Sequence, residues 1–190
     1  MSNPQIIIVP STPKDDLIIA QHFYQLWLDN DVSADLIYDD WLNITLQFIL
    51  NARRELEFQA FIAQVENQIV GSVSCQLFTG LYPAILQQKQ RQYGYIWNVY
   101  VESNYRRQGI ATKLTAAAIA HLQSLNCTKA VLNASASGKS VFDILPPINR
   151  GIPKTHDLSF CFFLVQRIYP HVRVFRNCPL ERRAFGSSRA

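Results

Sequence analysis

Tyr95-Ile96-Trp97-Asn98-Val99-Tyr100-Val101-Glu102-Ser103-Asn104-Tyr105-Arg106-Arg107-Gln108-Gly109-Ile110-Ala111-Thr112-Lys113-Leu114 is the stretch on which the fold turns. Its first third alternates aromatic and β-branched residues, the composition of a strand half-buried on both faces. A polar turn follows, then Arg106 and Arg107, then Gly109 at a helix start. Ile110, Leu114, Ala118, Leu122 and Leu125 repeat at helical spacing and give that helix an inward face. A helix N-terminus offers unpaired N–H groups and a partial positive charge, which suits a pyrophosphate. Gly109 allows close backbone approach, Ala111 leaves room, and the two arginines stay charged at any working pH.

Working outward, the chain reads as an α/β order. Ile6-Ile7-Ile8-Val9 is a short buried strand closed by Pro10. Ser11-Thr12-Pro13, with Asp15 and Asp16 behind it, opens a helix. Leu17, Ala20, Tyr24, Trp27 and Leu28 are its expected inner residues. A second helix spans about Asp40 to Glu55, with Trp41, Ile44, Phe48 and Ala52 on one face. Two strands, Phe58 to Val65 and Gln68 to Phe78, flank a tight turn at Glu66-Asn67. A Gln-rich connection, Leu81 to Gln92, leads to the strand Tyr93 to Val101. After the glycine-led helix comes a short strand, Lys129 to Leu132, and Ser137 to Ile144 opens a last helix that Pro146-Pro147 stops. Strand, helix and strand across residues 93–134 predict a right-handed crossover and a parallel pair.

Composition separates a core from a tail. Of 190 residues, those at 1–143 include 10 Lys and Arg against 12 Asp and Glu, whereas 144–190 include 8 against 2 and five of the nine prolines. The N-terminus lacks a basic leader, and no apolar run reaches the ~18–20 residues of a membrane span. Cys75, Cys127, Cys161 and Cys178 form no C-x-x-C or zinc spacing, so free thiols in a reducing, cytoplasmic setting and no metal are expected. His22, His121, His156 and His171 are scattered and read as surface or partly packed side chains. Gly138-Lys139-Ser140 lacks the first glycine of a P-loop, that position being Asn133.

The segment from Ile96 to Leu114 resembles the acetyl-CoA signature of the GNAT superfamily, a strand ending in V-x-x-x-Y-R followed by [RQ]-x-x-G-x-[GA]. Arg106-Arg107-Gln108-Gly109-Ile110-Ala111 fills its three constrained positions, and the element order from Ile6 to Phe142 resembles that fold. The resemblance implies a mixed α/β sheet with a V-like splay between the fourth and fifth strands. It implies acetyl-CoA as cosubstrate and a primary amine of a small molecule or peptide as acceptor, attacking the thioester directly. Val99, Tyr100 and Val101 would face the pantetheine, and a main-chain N–H near Val99 would stabilise the oxyanion. Arg106, Arg107, Gln108, Gly109, Ile110, Ala111 and Thr112 would hold the pyrophosphate, and Ser135 would reach the pantetheine. Trp97 and Asn98 are expected to face the acceptor cleft. Asn98 and Glu102, or an ordered water, are the candidate catalytic groups. Asp29, Asp31, Asp35, Asp39 and Asp40 form an acidic rim suited to a cationic amine, or ordinary solvated loop acids.

Two departures accompany the resemblance. Where the family has a tyrosine that protonates the departing thiolate, this chain has Phe142, and Pro146-Pro147 replaces the Gly-Phe pair that starts the last hairpin. The break coincides with the change in charge, so residues 144–190 read as a frameshifted or replaced ending, or else as a divergent tail. The alternative functions are an impaired CoA-binding protein and, more weakly, a nucleic-acid-binding module built on the arginines of the tail. A homodimer is compatible with the sequence, and no membrane partner is expected.

Overall fold

The computed structural model describes residues 5–80, 83 and 85–133. Among the described residues five strands lie in sequence order: β1 (Ile6–Pro10), β2 (Gln59–Val65), β3 (Gln68–Phe78), β4 (Tyr93–Val101) and β5 (Lys129–Leu132). The first three pairings are antiparallel. The last is parallel, from Tyr93↔Lys129 to Ile96↔Leu132, with α3 (Ile110–Ser124) as its crossover. The mixed α/β sheet and its parallel pair are therefore as the sequence predicts. The last helix expected from Ser137, the Ser135 position and the tail 144–190 lie outside the described residues.

The β2–β3 turn shows how locally the chain is instructed. Glu66 and Asn67 both have positive φ, 49° and 68°, the geometry of a two-residue turn whose twist matches its strands. The chain enters its first helix through a capping box. The Thr12 N–H and Oγ1 both donate to Asp15 Oδ2, at 2.8 and 3.0 Å. A short 3-10 turn (Pro13–Asp15) then passes into α1 (Asp16–Leu28).

Helices cover both faces. On one face, α3 sets Ile110, Leu114, Ala118 and Leu122 against Ala63, Val70, Val73 and Ile96. Leu122 presses on β4 where Gly94 leaves room, since a Cβ there would meet its side-chain carbons at 2.5 Å. On the other face, Ile19 of α1 joins Ile49 and Ala52 of α2 (Trp41–Glu55) over Phe58, Ala60 and Ile62. Arg53 bonds Asp16 from α2 to α1, its Nη2 2.5 Å from Oδ1.

Both helices on that face bury Ala20 and Ala52 as expected but otherwise turn a different stripe inward. In α2 the inward residues are Thr45, Ile49 and Ala52, while Ile44 and Phe48 are about half exposed. Thr45 is tolerated inside because its hydroxyl donates to the Trp41 carbonyl at 2.7 Å. In α1 the buried residues are Ile19, Ala20 and His22, and Leu17 and Trp27 stay substantially exposed. Each helix carries apolar residues on more than one side, so fit against the sheet decides which stripe turns inward. His22 is fully buried, beyond the surface or partly packed position expected for it.

Candidate active site

Strand β4 holds the candidate site, and a bulge in it governs which way its side chains point. Ser74 pairs with Trp97 and Ser72 with Tyr100, so Asn98 and Val99 together oppose Val73. Asn98 has φ 54°, the left-handed region that asparagine tolerates better than most residues. The extra residue breaks strict alternation. Trp97 and Asn98 both turn toward α1 and α2, whereas Val99 and Val101 pack with the α3 cluster.

Trp97 stands in an aromatic surround on the α1 and α2 side. Phe23, Phe48 and Phe58 lie 5.2, 5.4 and 5.9 Å from it, centroid to centroid, and its Nε1 donates to Gln76 Oε1 at 3.2 Å. Asn98 is buried beneath the bulge. Its Nδ2 donates to the Ile19 carbonyl at 3.0 Å, so the side chain is held by α1. Sequence reasoning passed over Tyr95. Its hydroxyl accepts from Asn133 Nδ2 at 3.1 Å, next to the last β4–β5 pair. Burial raises its pKa, against the opposing effect of that hydrogen bond.

Beyond Ile96↔Leu132, β4 runs on to Val101 with no β5 partner among the described residues. Val99, Tyr100 and Val101 lie on this stretch. The Tyr100 ring sits 4.8 Å from that of His22 and 5.7 Å from the Arg106 guanidinium. Burial raises the Tyr100 pKa, with the charges of Asp29 and Glu102 adding to it and Arg106 opposing.

The turn expected to cradle a phosphate follows. The Glu102 N–H donates to the Val70 carbonyl at 2.9 Å, which pins the start of the loop to β3. A 3-10 turn (Ser103–Tyr105) leads to Arg107 at φ 63° and Gly109 at φ 76°. The Lys113 N–H bonds the Gly109 carbonyl at 3.1 Å. The amides of Ile110, Ala111 and Thr112 therefore precede the first bonded turn of α3 and have no acceptor within the helix. A Cβ on Gly109 would meet nothing within 4 Å among the described residues, so they leave this end of the helix open. An anion of pyrophosphate size fits that combination of leading amides, left-handed turn and free space.

Arg106 plays a different part from Arg107. Its Nε donates to the Val101 carbonyl at 2.8 Å, and its Nη2 pairs with Asp29 at the end of α1. It ties the loop to the strand and to α1. Burial pushes the Asp29 pKa up, but hydrogen bonds from Gln25 and Arg106 and the Arg106 charge together hold it below its usual value. One member of the expected acidic rim is thus already paired. Asp31, Asp35, Asp39 and Asp40 are exposed. Glu102 lies three residues beyond Val99, roughly 10 Å along an extended strand. It therefore stands nearer the phosphate end than the bulge.

An open groove of about 580 Å³ lies elsewhere, lined by Gln88, Lys89, Gln92, Asn126, Cys127 and Thr128. It sits at the far end of β4 from the turn and shares none of its residues. Cys75 and Cys127 are buried free thiols. Burial pushes Cys75 up to about 12, with Cys127 adding to the shift, so the thiolate is absent at neutral pH. No helix among the described residues is long and apolar enough to cross a membrane.

Known proteins share this arrangement. Among solved structures, an acetyltransferase from Clostridium acetobutylicum with acetyl-CoA superposes with a TM-score of 0.63, at 21% identity, over 82% of this chain and 96% of that one. A GCN5-related N-acetyltransferase from Ralstonia eutropha gives 0.64 at 17% identity, over 78% and 98%. At those identities the likeness is one of fold. N-alpha-acetyltransferase 30 of Xenopus laevis and of Homo sapiens is 32% identical over 84 residues, 44% of this chain. That stretch spans only 28% and 21% of those two proteins. The family model for the acetyltransferase (GNAT) family matches residues 20–139, which take in α1 from Ala20 onward, α2, the strands β2 to β5 and the whole Gly109 turn, and the chain therefore belongs to that family.

Proposed function

We propose that the protein is an N-acetyltransferase that moves the acetyl group of acetyl-CoA to a primary amine. The observation that carries the reading is the left-handed turn at Gly109, set ahead of the leading amides of α3 and after a run of β4 that pairs with β3 but has no β5 partner among the described residues. The amides from Arg107 to Thr112 take the pyrophosphate, with the Arg107 side chain adding charge. Main-chain groups of Val99 and Val101 pair with the pantetheine amides as an added strand would. Ile110 and Ala111 serve by backbone and small size, and Tyr100 and Arg106 by holding the strand and loop in place.

In the reaction a neutral amine attacks the thioester carbonyl carbon. The carbonyl oxygen gains charge opposite a main-chain N–H near Val99. The C–S bond then breaks, the amide remains on the acceptor, and CoA leaves as thiol once it has regained a proton. The amine's proton passes to water or to a nearby acceptor. Asn98, buried against Ile19, and Glu102, near the phosphate end, are poorly situated for that transfer, which leaves water as the acceptor.

The 32% identity to an N-alpha-acetyltransferase favours the α-amine of a peptide over a small-molecule amine as acceptor. The exposed acids Asp31, Asp35, Asp39 and Asp40 support the approach of a cation. Buried free thiols favour the cytoplasm. The core is residues 1–143, with 144–190 a divergent or replaced ending.

Calorimetric titration of acetyl-CoA into the full chain, beside an Arg107→Ala/Gly109→Asp variant, tests the reading. Saturable binding that the variant loses supports it, and CoA release driven by an amine-terminated peptide completes it. Binding without turnover on any amine would favour an impaired CoA-binding protein. A folded chain that binds no acetyl-CoA ends the proposal.

A further inference from the structure

A buried polar set lies beneath the β4 bulge, where apolar packing would have sufficed. Asn98 Nδ2 donates to the Ile19 carbonyl inside α1 at 3.0 Å and reaches Ser72 Oγ at 3.5 Å. Ser72 Oγ lies 2.9 Å from His22 Nδ1, and the His22 ring rests against Tyr100. Asn98, Ser72 and His22 are 3%, 0% and 3% exposed. Asn98 Oδ1 and His22 Nε2 are buried with no hydrogen-bond partner among the described residues. Burying such atoms unpaired is costly, and an apolar trio of similar size would avoid the cost. The polar set gives in return a fixed path from α1, through Ile19 and His22, to the one residue of β4 at positive φ.

That residue needs fixing. A bulge carrying two residues opposite one is held less firmly by the ladder than regular strand, and its amides are aimed by the local twist. Asn98 is gripped by a helix on one side and by β3 on the other, so the bulge has one setting. With Ser72 accepting from Asn98, the Ser72 hydroxyl is left to donate to His22 Nδ1.

We infer that Asn98, Ser72 and His22 are positioning residues that hold the β4 bulge against α1 and so aim the main-chain N–H near Val99 at the thioester oxygen. The inference rests on the acetyl-transfer reading above. It concerns only the acetyl end of the cosubstrate, since the pyrophosphate turn is built from other residues.

Acetyl-CoA and CoA differ at that end alone, so the ratio of their dissociation constants reads the aim of the bulge. Calorimetry on the full chain compares wild type with Ser72→Ala, His22→Phe, Asn98→Gly and His22→Asn. Phe keeps a ring against Tyr100, and Gly accepts positive φ without the grip. In the first three variants acetyl-CoA is expected to bind ~3–10-fold more weakly relative to CoA, the value of one net hydrogen bond, with CoA itself unaffected. His22→Asn, which keeps a polar group near the place of Nδ1, is expected to recover most of the ratio. Melting curves identify the variants that fold. An unchanged ratio in folded Asn98→Gly and Ser72→Ala overturns the inference while leaving the acetyl-transfer reading intact. A wild type that binds neither compound overturns both.

Discussion

Replacing Gly109 separates the two demands that the turn makes on it. The residue has φ 76° and ψ 6°, and a Cβ built there finds no atom within 4 Å. In the free protein the cost of Gly109→Ala is therefore conformational and not steric. A left-handed backbone costs an L-residue about 1–2 kcal/mol, and part of this is offset because alanine restricts the unfolded chain. A net loss of about 1 kcal/mol lowers the melting temperature of a domain of this size by roughly 2–4 °C. Binding should suffer more. The new methyl group projects into the space that a phosphate needs, and losing one amide-to-phosphate bond costs about 1.5–3 kcal/mol, roughly 10–100-fold in affinity. Gly109→Asp adds a negative charge and should bind more weakly still. Scanning fluorimetry gives the first quantity and calorimetry with acetyl-CoA the second. A melting loss far above that range would mean that the turn is crowded. Unimpaired acetyl-CoA binding by Gly109→Ala would mean that the phosphates do not approach Gly109, and either result refutes the reasoning.

Gly94→Ala is expected to destabilise the fold by about 1–3 kcal/mol through overpacking, because the new carbon would lie 2.5 Å from both Leu122 methyl carbons. Urea unfolding should show a lower midpoint with an unchanged slope. Asp29→Asn removes the partner of Arg106, whose side chain is 44% exposed. The stability change should stay under about 1 kcal/mol and shrink further in 1 M salt, because exposed pairs are weak and screened. Arg106→Lys should cost more than Asp29→Asn at equal salt. One ammonium cannot reach both the Val101 carbonyl and Asp29, which the planar guanidinium does with Nε and Nη2.

Strand β4, the helix behind it and the Gly109 turn are readable in the sequence because local chemistry specifies each. β4 alternates, α3 repeats at 3.6 residues, and a glycine stands where the backbone turns left-handed. Glu66-Asn67 is readable for the same reason. The inner faces of α1 and α2 are not. Leu17, Ile18 and Ile19 are consecutive, as are Ile49 and Leu50, so periodicity admits more than one stripe and the sheet chooses. The bulge at Asn98 leaves no pattern, because one added residue only shifts the alternation after it. A faint signal exists: asparagine is depleted in strands, and here it interrupts an aromatic and β-branched run. His22 gives no local sign of burial, since its partners Ser72 and Tyr100 are 50 and more residues away.

The burial of His22 has a consequence that pH can expose. Desolvation lowers its pKa from an ordinary 6.5 to about 4, so the folded protein holds it neutral. Between those two values the unfolded chain binds one more proton than the native state, and stability there rises with pH. The contribution is complete above pH 6.5 and is lost as pH falls toward 4, below which both states are protonated and the loss levels off. At 1.36 kcal/mol per unit the whole effect is on the order of 3 kcal/mol. Asp29 acts in the same direction, but its folded pKa lies below the usual carboxylate value. Its share is therefore lost mostly under pH 4, beneath the window that belongs to His22. His22→Gln removes the titrating group, so the difference between wild type and variant isolates the effect from the other acids. Unfolding in urea at pH 7.0, 6.0, 5.0 and 4.5 should show the advantage of wild type shrinking as pH falls. Parallel curves would show that His22 titrates normally, and hence that its ring is not sealed between Ser72 and Tyr100.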